Sequence, residues 1–429
     1  MNKYLEYSSR ESYSRTTAFE KFVGVFSFCV LFPYPALPVG NNTGLQLGHV
    51  ITIAALWLMA KRVFVKKDLI ACYLLLVVPS LLPLILGRQS DVNVNATATQ
   101  AFALLTVIAA GGAVSRKGAI RNFCVGAALA MLVHGVVGIV QQIFYVNEAF
   151  PFIQIYVNPS FAEMESGKIT DLYAVYTKRS FGLFPEPSSM FAVLAPWIVI
   201  LFNVVFVGSW KIRRLERLIF IQSLIFGGLL IYFAKSGGMP YLALGMLPSL
   251  ALFYRKTLRR PLLQKLAISV VSALILALAV YAFLMSFQER AYAELDHGVS
   301  WTERLTSILF ALQSVFRGDL MPFFFGYGLG DVSTLALQAT GSSGIHSWII
   351  ATFMGTGVVG AIGMALVGMK AIRSIRSSSQ RMLGYSVFFV WVACAALVTG
   401  YIQLLGMWAV LGILLQWSTA FPASRKNLL

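Results

Sequence analysis

The chain has 429 residues, 58% of them hydrophobic and only 12% charged. A soluble chain carries about 25% charged residues, so half the usual polar cover is missing and an ordinary soluble enzyme is excluded. The net charge is +17, and where those charges fall decides whether nucleic acid is needed to explain them.

Apolar runs long enough for a ~30 Å hydrocarbon core follow one another along the sequence. About twelve spans are expected, near 22–38, 45–60, 69–87, 99–114, 122–144, 187–208, 218–234, 239–254, 266–286, 346–368, 383–399 and 403–419. The expected fold is an all-α polytopic membrane protein, residues 1–429 forming one integral membrane domain. The first run follows Lys21 with no small-residue cleavage site behind it, so it reads as an anchor rather than a signal peptide. With both termini in the cytoplasm, inside segments hold 26 of the 34 Lys and Arg, while outside segments hold 8 of these cations but 12 of the 17 acids. That asymmetry is the positive-inside rule, and it accounts for the basic balance with no nucleic acid. Cys29, Cys72, Cys124 and Cys394 fall inside the spans at no metal-ligand spacing and read as packing residues.

Two connections are long, 147–187 and 288–345, and both fall outside; long connections of this kind are usually functional. Inside the second, "SWTERLTSILFALQSVF" opens with Ser300 and places Glu303 three residues on, a capping-box pattern. Trp301, Leu305, Ile308, Leu309, Leu312 and Phe316 then recur at helical spacing, predicting an amphipathic helix that lies along the membrane surface or covers the spans. "GYGLGD" (326–331) predicts a tight turn. Gly355, Gly357, Gly360 and Gly363 predict a helix face packed closely on a neighbour.

His49 and His134 are the only ionisable groups deep in the expected spans. An ion-coupled transporter keeps carboxylates or cations near the midplane, so that class is disfavoured, and His134 reads first as a helix-to-helix hydrogen bond. The outer rim is richer. Lys178, Arg179, Glu186, Arg304, Arg317 and His346 all lie in or beside the two long loops. Arginine suits forked recognition of phosphate oxygens; the alternative is that each arginine snorkels to lipid headgroups.

Three stretches in order, "RSFGLFPEPSSMF", "SWTERLTSILFALQSVFRGDLMPFFFGYGLGD" and "HSWIIATFMGTGVVGAIGM", resemble the O-antigen polymerase and O-antigen ligase superfamily of bacterial inner-membrane glycosyltransferases. The "FPEPSS" corner is similar to the Wzy-type polymerase branch, and Arg317 followed by ten residues and Gly328 matches an Arg-x10-Gly motif of polymerases. The first loop departs from that motif, because Met190 stands eleven residues after Arg179.

The resemblance implies a GT-C-like fold in the inner membrane with an active site facing the periplasm. It implies transfer of a growing glycan from undecaprenyl pyrophosphate to a sugar hydroxyl of the next lipid-linked repeat unit, building O-antigen, capsule or exopolysaccharide. Donor and acceptor are then both undecaprenyl-pyrophosphate-linked oligosaccharides; membrane lipids, a chain-length regulator and a flippase are candidate partners. Under that reading Arg179, Arg304 and Arg317, with Lys178 as a helper, stabilise charge on the leaving pyrophosphate. His346 or Glu186 is the base that takes the acceptor proton, although Glu186 could equally be a salt bridge to Arg179 or Lys178. No Asp-x-Asp is present, and no carboxylate pair stands at the outer ends of the early spans, so neither metal nor cofactor is expected. The competing readings are a ligase that transfers finished polymer to lipid A core and, from another class, a non-enzymatic lipid-linked oligosaccharide flippase.

Overall fold

Proline sets the first departure from the expected spans. In a computed structural model, which describes residues 18–34, 36–40, 43–60, 66–116, 118–144, 179–208, 212–257, 300–317, 319–340, 345–398, 400 and 402–422, helix α1 (Ala18–Cys29) stops well before residue 38. Pro33 and Pro38 follow, and proline lacks the N–H a helix interior needs. The chain turns instead into an antiparallel hairpin of β1 (Ala36–Gly40) and β2 (Thr43–Gln46), with Ala36 opposite Gln46 and Leu37 opposite Leu45.

Helices then dominate: α2 (Leu47–Ala60), α3 (Lys67–Ile85), α4 (Asp91–Val114), α5 (Ala119–Phe144), α6 (Pro187–Phe202, continued as a π-turn over Asn203–Val207), α7 (Arg214–Ala234) and α8 (Met239–Thr257). Beyond residue 299 come α9 (Ser300–Arg317), α10 (Leu320–Phe325), α11 (Leu329–Thr340), α12 (Trp348–Arg376), α13 (Arg381–Leu397), α14 (Leu405–Leu415) and α15 (Trp417–Ala420). Among the described residues six helices, not about twelve, are long and apolar enough to cross a membrane: α3, α4, α5, α6 with its π-turn, α7 and α12. Both α13 and α14 are apolar but shorter; the run expected over 403–419 breaks at Gln416, between α14 and α15. The span expected over 266–286 lies outside the described residues.

The centre of the bundle follows from composition. Helix α14 is apolar on every side, and all eleven of its residues are buried, as such a helix must be. Helix α6 is nearly as enclosed, from Pro187 to Trp197 without interruption. Cys29, Cys72, Cys124 and Cys394 are buried and unpaired.

Short turns between consecutive helices sort the bundle into two ends. At one end, ion pairs join neighbouring helices: Arg121 to Glu216 at 2.6 Å, between the starts of α5 and α7, and Lys370 to Asp68 at 2.6 Å, between the last turns of α12 and the start of α3. There too, Lys66 Nζ donates to Gln416 Oε1 at 2.7 Å. The other end carries the starts of α4, α6, α11, α12 and α14, and both motif corners.

Helix α9 is unbroken over its described residues, Ser300–Arg317. Its packed face is offset from the apolar stripe that the sequence pattern singles out, sharing Ile308 with it. Ser307, Ala311 and Val315 are buried, the latter two in a small separate core with Val332 and Ala336 of α11 and Met354 of α12. Leu305, Leu309 and Phe316 are left exposed. Small side chains at i, i+4 and i+8 let the helices approach closely, and the larger ones cover the outside.

Candidate functional site

The first corner, Arg179–Ser189, is sunk into the bundle. From Ser180 to Trp197 every residue is buried, and side chains of α5 reach in to satisfy the corner's backbone. Gln141 Oε1 accepts from the amides of Phe181 (3.1 Å) and Gly182 (3.0 Å), while Gln141 Nε2 donates to Gly182 O at 2.9 Å. His134 Nδ1 accepts from Leu183 N at 3.2 Å, which leaves the proton on Nε2 to donate to Leu31 O at 3.0 Å. The imidazole lies between the rings of Phe32 and Phe184. His134 thus braces α5 against the corner and the turn after α1; its partners are turn backbone rather than the neighbouring helix expected from the sequence. Gly182 has φ +58°, and a Cβ there would press on His134.

Glu186 ends this corner at the N-cap of α6. Its carboxylate accepts from the hydroxyls of Ser188 and Ser189, inside the first turn where the helix dipole favours an anion. No hydrogen bond among the described residues joins it to Arg179, whose Nε donates to Ala234 O at the end of α7, 2.7 Å away. Glu186 is 8% exposed.

The second corner is held from behind. It is a turn only over Gly326–Gly328; Leu329–Asp331 already open helix α11, so the predicted six-residue turn is half helix. Asn93, fully buried near the start of α4, is its hub. Asn93 Oδ1 accepts from Gly330 N (2.8 Å) and Asp331 N (3.0 Å), and Nδ2 donates to Asp331 Oδ2 (2.7 Å) and Arg88 O (3.2 Å). Ser90 Oγ donates to Asp331 Oδ1 at 3.3 Å. Arg88 lies 5.0 Å from the centre of the Tyr327 ring and donates to Tyr327 O. These contacts give Gly328 (φ +94°) its reason, since a Cβ there would strike the Asn93 side chain.

Helix α12 breaks to receive the same corner. Gly357 has φ +63° and ψ −158° inside the helix. Tyr327 N donates to Met354 O at 3.0 Å and Gly328 N to Gly355 O at 2.9 Å, satisfying carbonyls that face this corner. The predicted close-packed glycine face is therefore two devices. Gly355 and Gly357 admit the Phe324–Leu329 backbone, while Gly363 packs against Leu75 of α3.

In front of this corner lies a cleft of about 370 Å³. Helix α4 lines it with Asn95, Thr99 and Gln100, α11 with Gly330 and Ser333, α12 with Trp348 and Thr352, and the α13–α14 connection with Gly400 and Gln403. Among the described lining residues there is no Lys, Arg, Asp or Glu. Gln100 Nε2 is committed to Leu76 O at 3.2 Å. Trp348 is 4% exposed, and its indole N–H has no acceptor among the described residues. A buried polar group without a partner costs free energy, and this nitrogen is enclosed by protein rather than open to the cleft.

The predicted site residues are distributed around this geometry rather than gathered in it. His346 is half-buried between Ile345, whose carbonyl sits against Gly400, and Ser347, the N-cap of α12; its chain neighbours thus meet the cleft wall at Gly400 and Trp348. Arg317 is exposed at the last turn of α9. Arg304 lies on α9, but its side chain is outside the described residues, as is Lys178 altogether. Sequence reasoning missed the cleft itself. One signal was readable: Ser90 caps α4 by accepting from Asn93 N, and starting that helix at 91 rather than 99 puts Asn95 on it, on one face with Thr99, rather than in a loop.

Comparison with protein-family models returns no match, and comparison with curated proteins returns none either.

Proposed function

We propose that the protein is a glycosyltransferase of the inner membrane that polymerises lipid-pyrophosphate-linked oligosaccharide repeat units at the periplasmic face. The observation that carries this reading is a cleft whose described walls are polar and uncharged, at the same end of the bundle as both motif corners, with His346 two residues before the lining residue Trp348. Sugars offer many hydroxyls and no charge, and such walls suit them. The scarcity of ionisable groups in the spans argues for a site at the membrane edge over a transport path.

The reaction follows by role. The acceptor hydroxyl loses its proton to a base and attacks the anomeric carbon of the lipid-linked glycan. The new glycosidic C–O bond forms as the bond to pyrophosphate breaks, and the lipid pyrophosphate leaves with the electron pair. Between the two base candidates, His346 is favoured, because Glu186 is buried and already accepts two serine hydroxyls. Arg179, Arg304 and Arg317, with Lys178, remain the candidates for the developing phosphate charge.

Deletion of the gene tests this against ligase and flippase. Loss of a polymerase leaves single repeat units on the carrier or final acceptor. Long polymer retained on the lipid carrier would assign a ligase instead, and repeat units trapped on the cytoplasmic side a flippase.

A further inference from the structure

We infer that Arg88, in the short turn between α3 and α4, is a built anchor for the phosphate oxygens of a membrane lipid, gripping them through the Nε–Nη2 edge of its guanidinium. The inference rests on the glycosyltransferase reading only for which lipid is meant. Arg88 is none of the cations that the two long loops supply.

The chain fixes this position from both sides. Helix α3 runs out at Gly87, which takes φ +94°. The turn closes with Gly87 N donating to Leu84 O at 3.3 Å and Arg88 N to Pro83 O at 3.0 Å, the paired bonds of a helix end that favours glycine. On the other side Asn93 Nδ2 donates to Arg88 O at 3.2 Å. Both backbone polar groups of Arg88 are thus held. A cation this near a helix C-terminus has an ordinary explanation, the negative end of the dipole. The guanidinium does not take it. It is bonded instead to the second corner, lying 5.0 Å from the centre of the Tyr327 ring and donating from Nη1 to Tyr327 O at 3.3 Å. That ring is itself anchored, since its hydroxyl donates to Ser314 O of α9 at 2.9 Å.

What results is a positioned cation with no counter-ion. Among the described residues Nε and Nη2 have no acceptor, and no carboxylate pairs with Arg88. The corner's own acid, Asp331, is taken by Ser90 and Asn93. Asp91, in the first turn of α4, already meets the field of that helix start, so the guanidinium and not the helix carries the site. Arg121 shows what the same edge does when an anion is at hand: its Nε and Nη2 fork the Glu216 carboxylate at 2.9 and 2.6 Å. The open edge of Arg88 suits two phosphate oxygens in that manner, and stacking on Tyr327 has ordered it beforehand. Depth selects the source. Helix α3 is a membrane span ending at Ile85, and Arg88 follows it half-buried. An anion at Arg88 therefore lies at the polar edge of the hydrocarbon, among lipid headgroups. The pyrophosphate of a carrier lipid and the phosphodiester of an anionic phospholipid both present such oxygens there.

The test is native mass spectrometry of the full-length protein in a neutral detergent, with farnesyl pyrophosphate and phosphatidylglycerol as probes. Expected is retention of at least one probe by the unaltered protein. Arg88→Lys keeps the charge and loses the fork, and should weaken that retention about tenfold, with Arg88→Gln weakening it further. Arg116→Gln is the control. Arg116 lies 5.5 Å from the centre of the Phe19 ring, just past the opposite end of α4, and its loss should leave both probes bound as before. Competition names the source: farnesyl pyrophosphate that resists excess phosphatidylglycerol assigns the carrier lipid, and the reverse assigns a phospholipid. Melting temperatures taken without probe separate loss of the site from loss of the corner, because Arg88→Lys leaves a cation for Tyr327 and should melt close to the unaltered protein. Retention unchanged by both Arg88→Lys and Arg88→Gln would overturn the inference. So would an equal loss in Arg116→Gln, or an unaltered protein that holds neither probe. Arg88-dependent pyrophosphate binding by a protein whose deletion leaves polymer intact would sink the polymerase reading and keep this one.

Discussion

The two corners at the cleft end look alike as sequence and are built in opposite ways. "FGLFPEPSS" and "GYGLGD" both combine aromatic residues, glycine and an acid at a helix start. The first is driven into the bundle, where Gln141 and His134 consume its amides and Ser188 and Ser189 occupy its carboxylate. The second is pinned by Asn93, Arg88, the break in α12 and, through the Tyr327 hydroxyl, Ser314 of α9, while Gly330 and Ser333 are left on an open wall. A carboxylate beside a turn is therefore no guide to chemistry by itself. What matters is which side of the turn its partners occupy.

That contrast breaks most severely at Gly326. Its φ is +79°, and a Cβ there would overlap the Gly355 backbone in the break of α12. Gly326→Val should yield no monodisperse protein in detergent, read by fluorescence-detected size exclusion. Normal recovery of this variant would mean that the corner is not locked into α12.

Next in size is the division of labour between corners. His346→Ala should lower polymer formation ~10²–10⁴-fold, the usual worth of a positioned base, with unchanged protein level. Glu186→Gln preserves an acceptor for both serines and should change polymer output little. A loss of the first magnitude from Glu186→Gln, at normal level, would move the chemistry into the first corner. Gln141→Leu should act on stability alone. It strands the amides of Phe181 and Gly182, each worth ~1–3 kcal/mol when left unpaired in the interior, so the melting temperature falls while output per folded molecule is retained. A drop in specific activity with no change in melting temperature would refute the architectural role of that corner.

Much of this was legible where a local rule governs. The helical run through 300–317 follows from the apolar spacing after Ser300, and the bracing role of His134 follows from the cost of a lone polar group among apolar helices. Legibility failed where the deciding partner is remote. Hydropathy runs through Pro33 and Pro38, but helix geometry does not, and α1 ends early. Gly357 reads as a packing glycine until Phe324, from another segment, is seen beside it. The cleft was invisible for the same reason: Thr99, Ser333, Trp348 and Gln403 are neutral, far apart in the chain, and share a property only once folded.

The smallest effect expected belongs to Arg317, and it separates the two arginines of α9. That helix runs unbroken from Ser300 to Arg317, so the thirteen residues from Arg304 to Arg317 span about 20 Å along the axis at ~1.5 Å each. At ~100° per residue the two positions also face about 140° apart. A pyrophosphate is far shorter than that, and one group cannot be gripped by both. Arg317 is exposed in the last turn, where a cation offsets the negative end of the helix dipole for ~0.3–1 kcal/mol. That accounts for it with no ligand. Arg304 stands nearer the N-terminal end, whose field draws anions. Arg304→Ala should then abolish transfer, while Arg317→Ala leaves partial activity or shifts the chain-length distribution, both measured by gel profiles of polymer at matched expression. Equal and complete loss in both would require α9 to bend in the working enzyme, and with it the outer wall of the second corner.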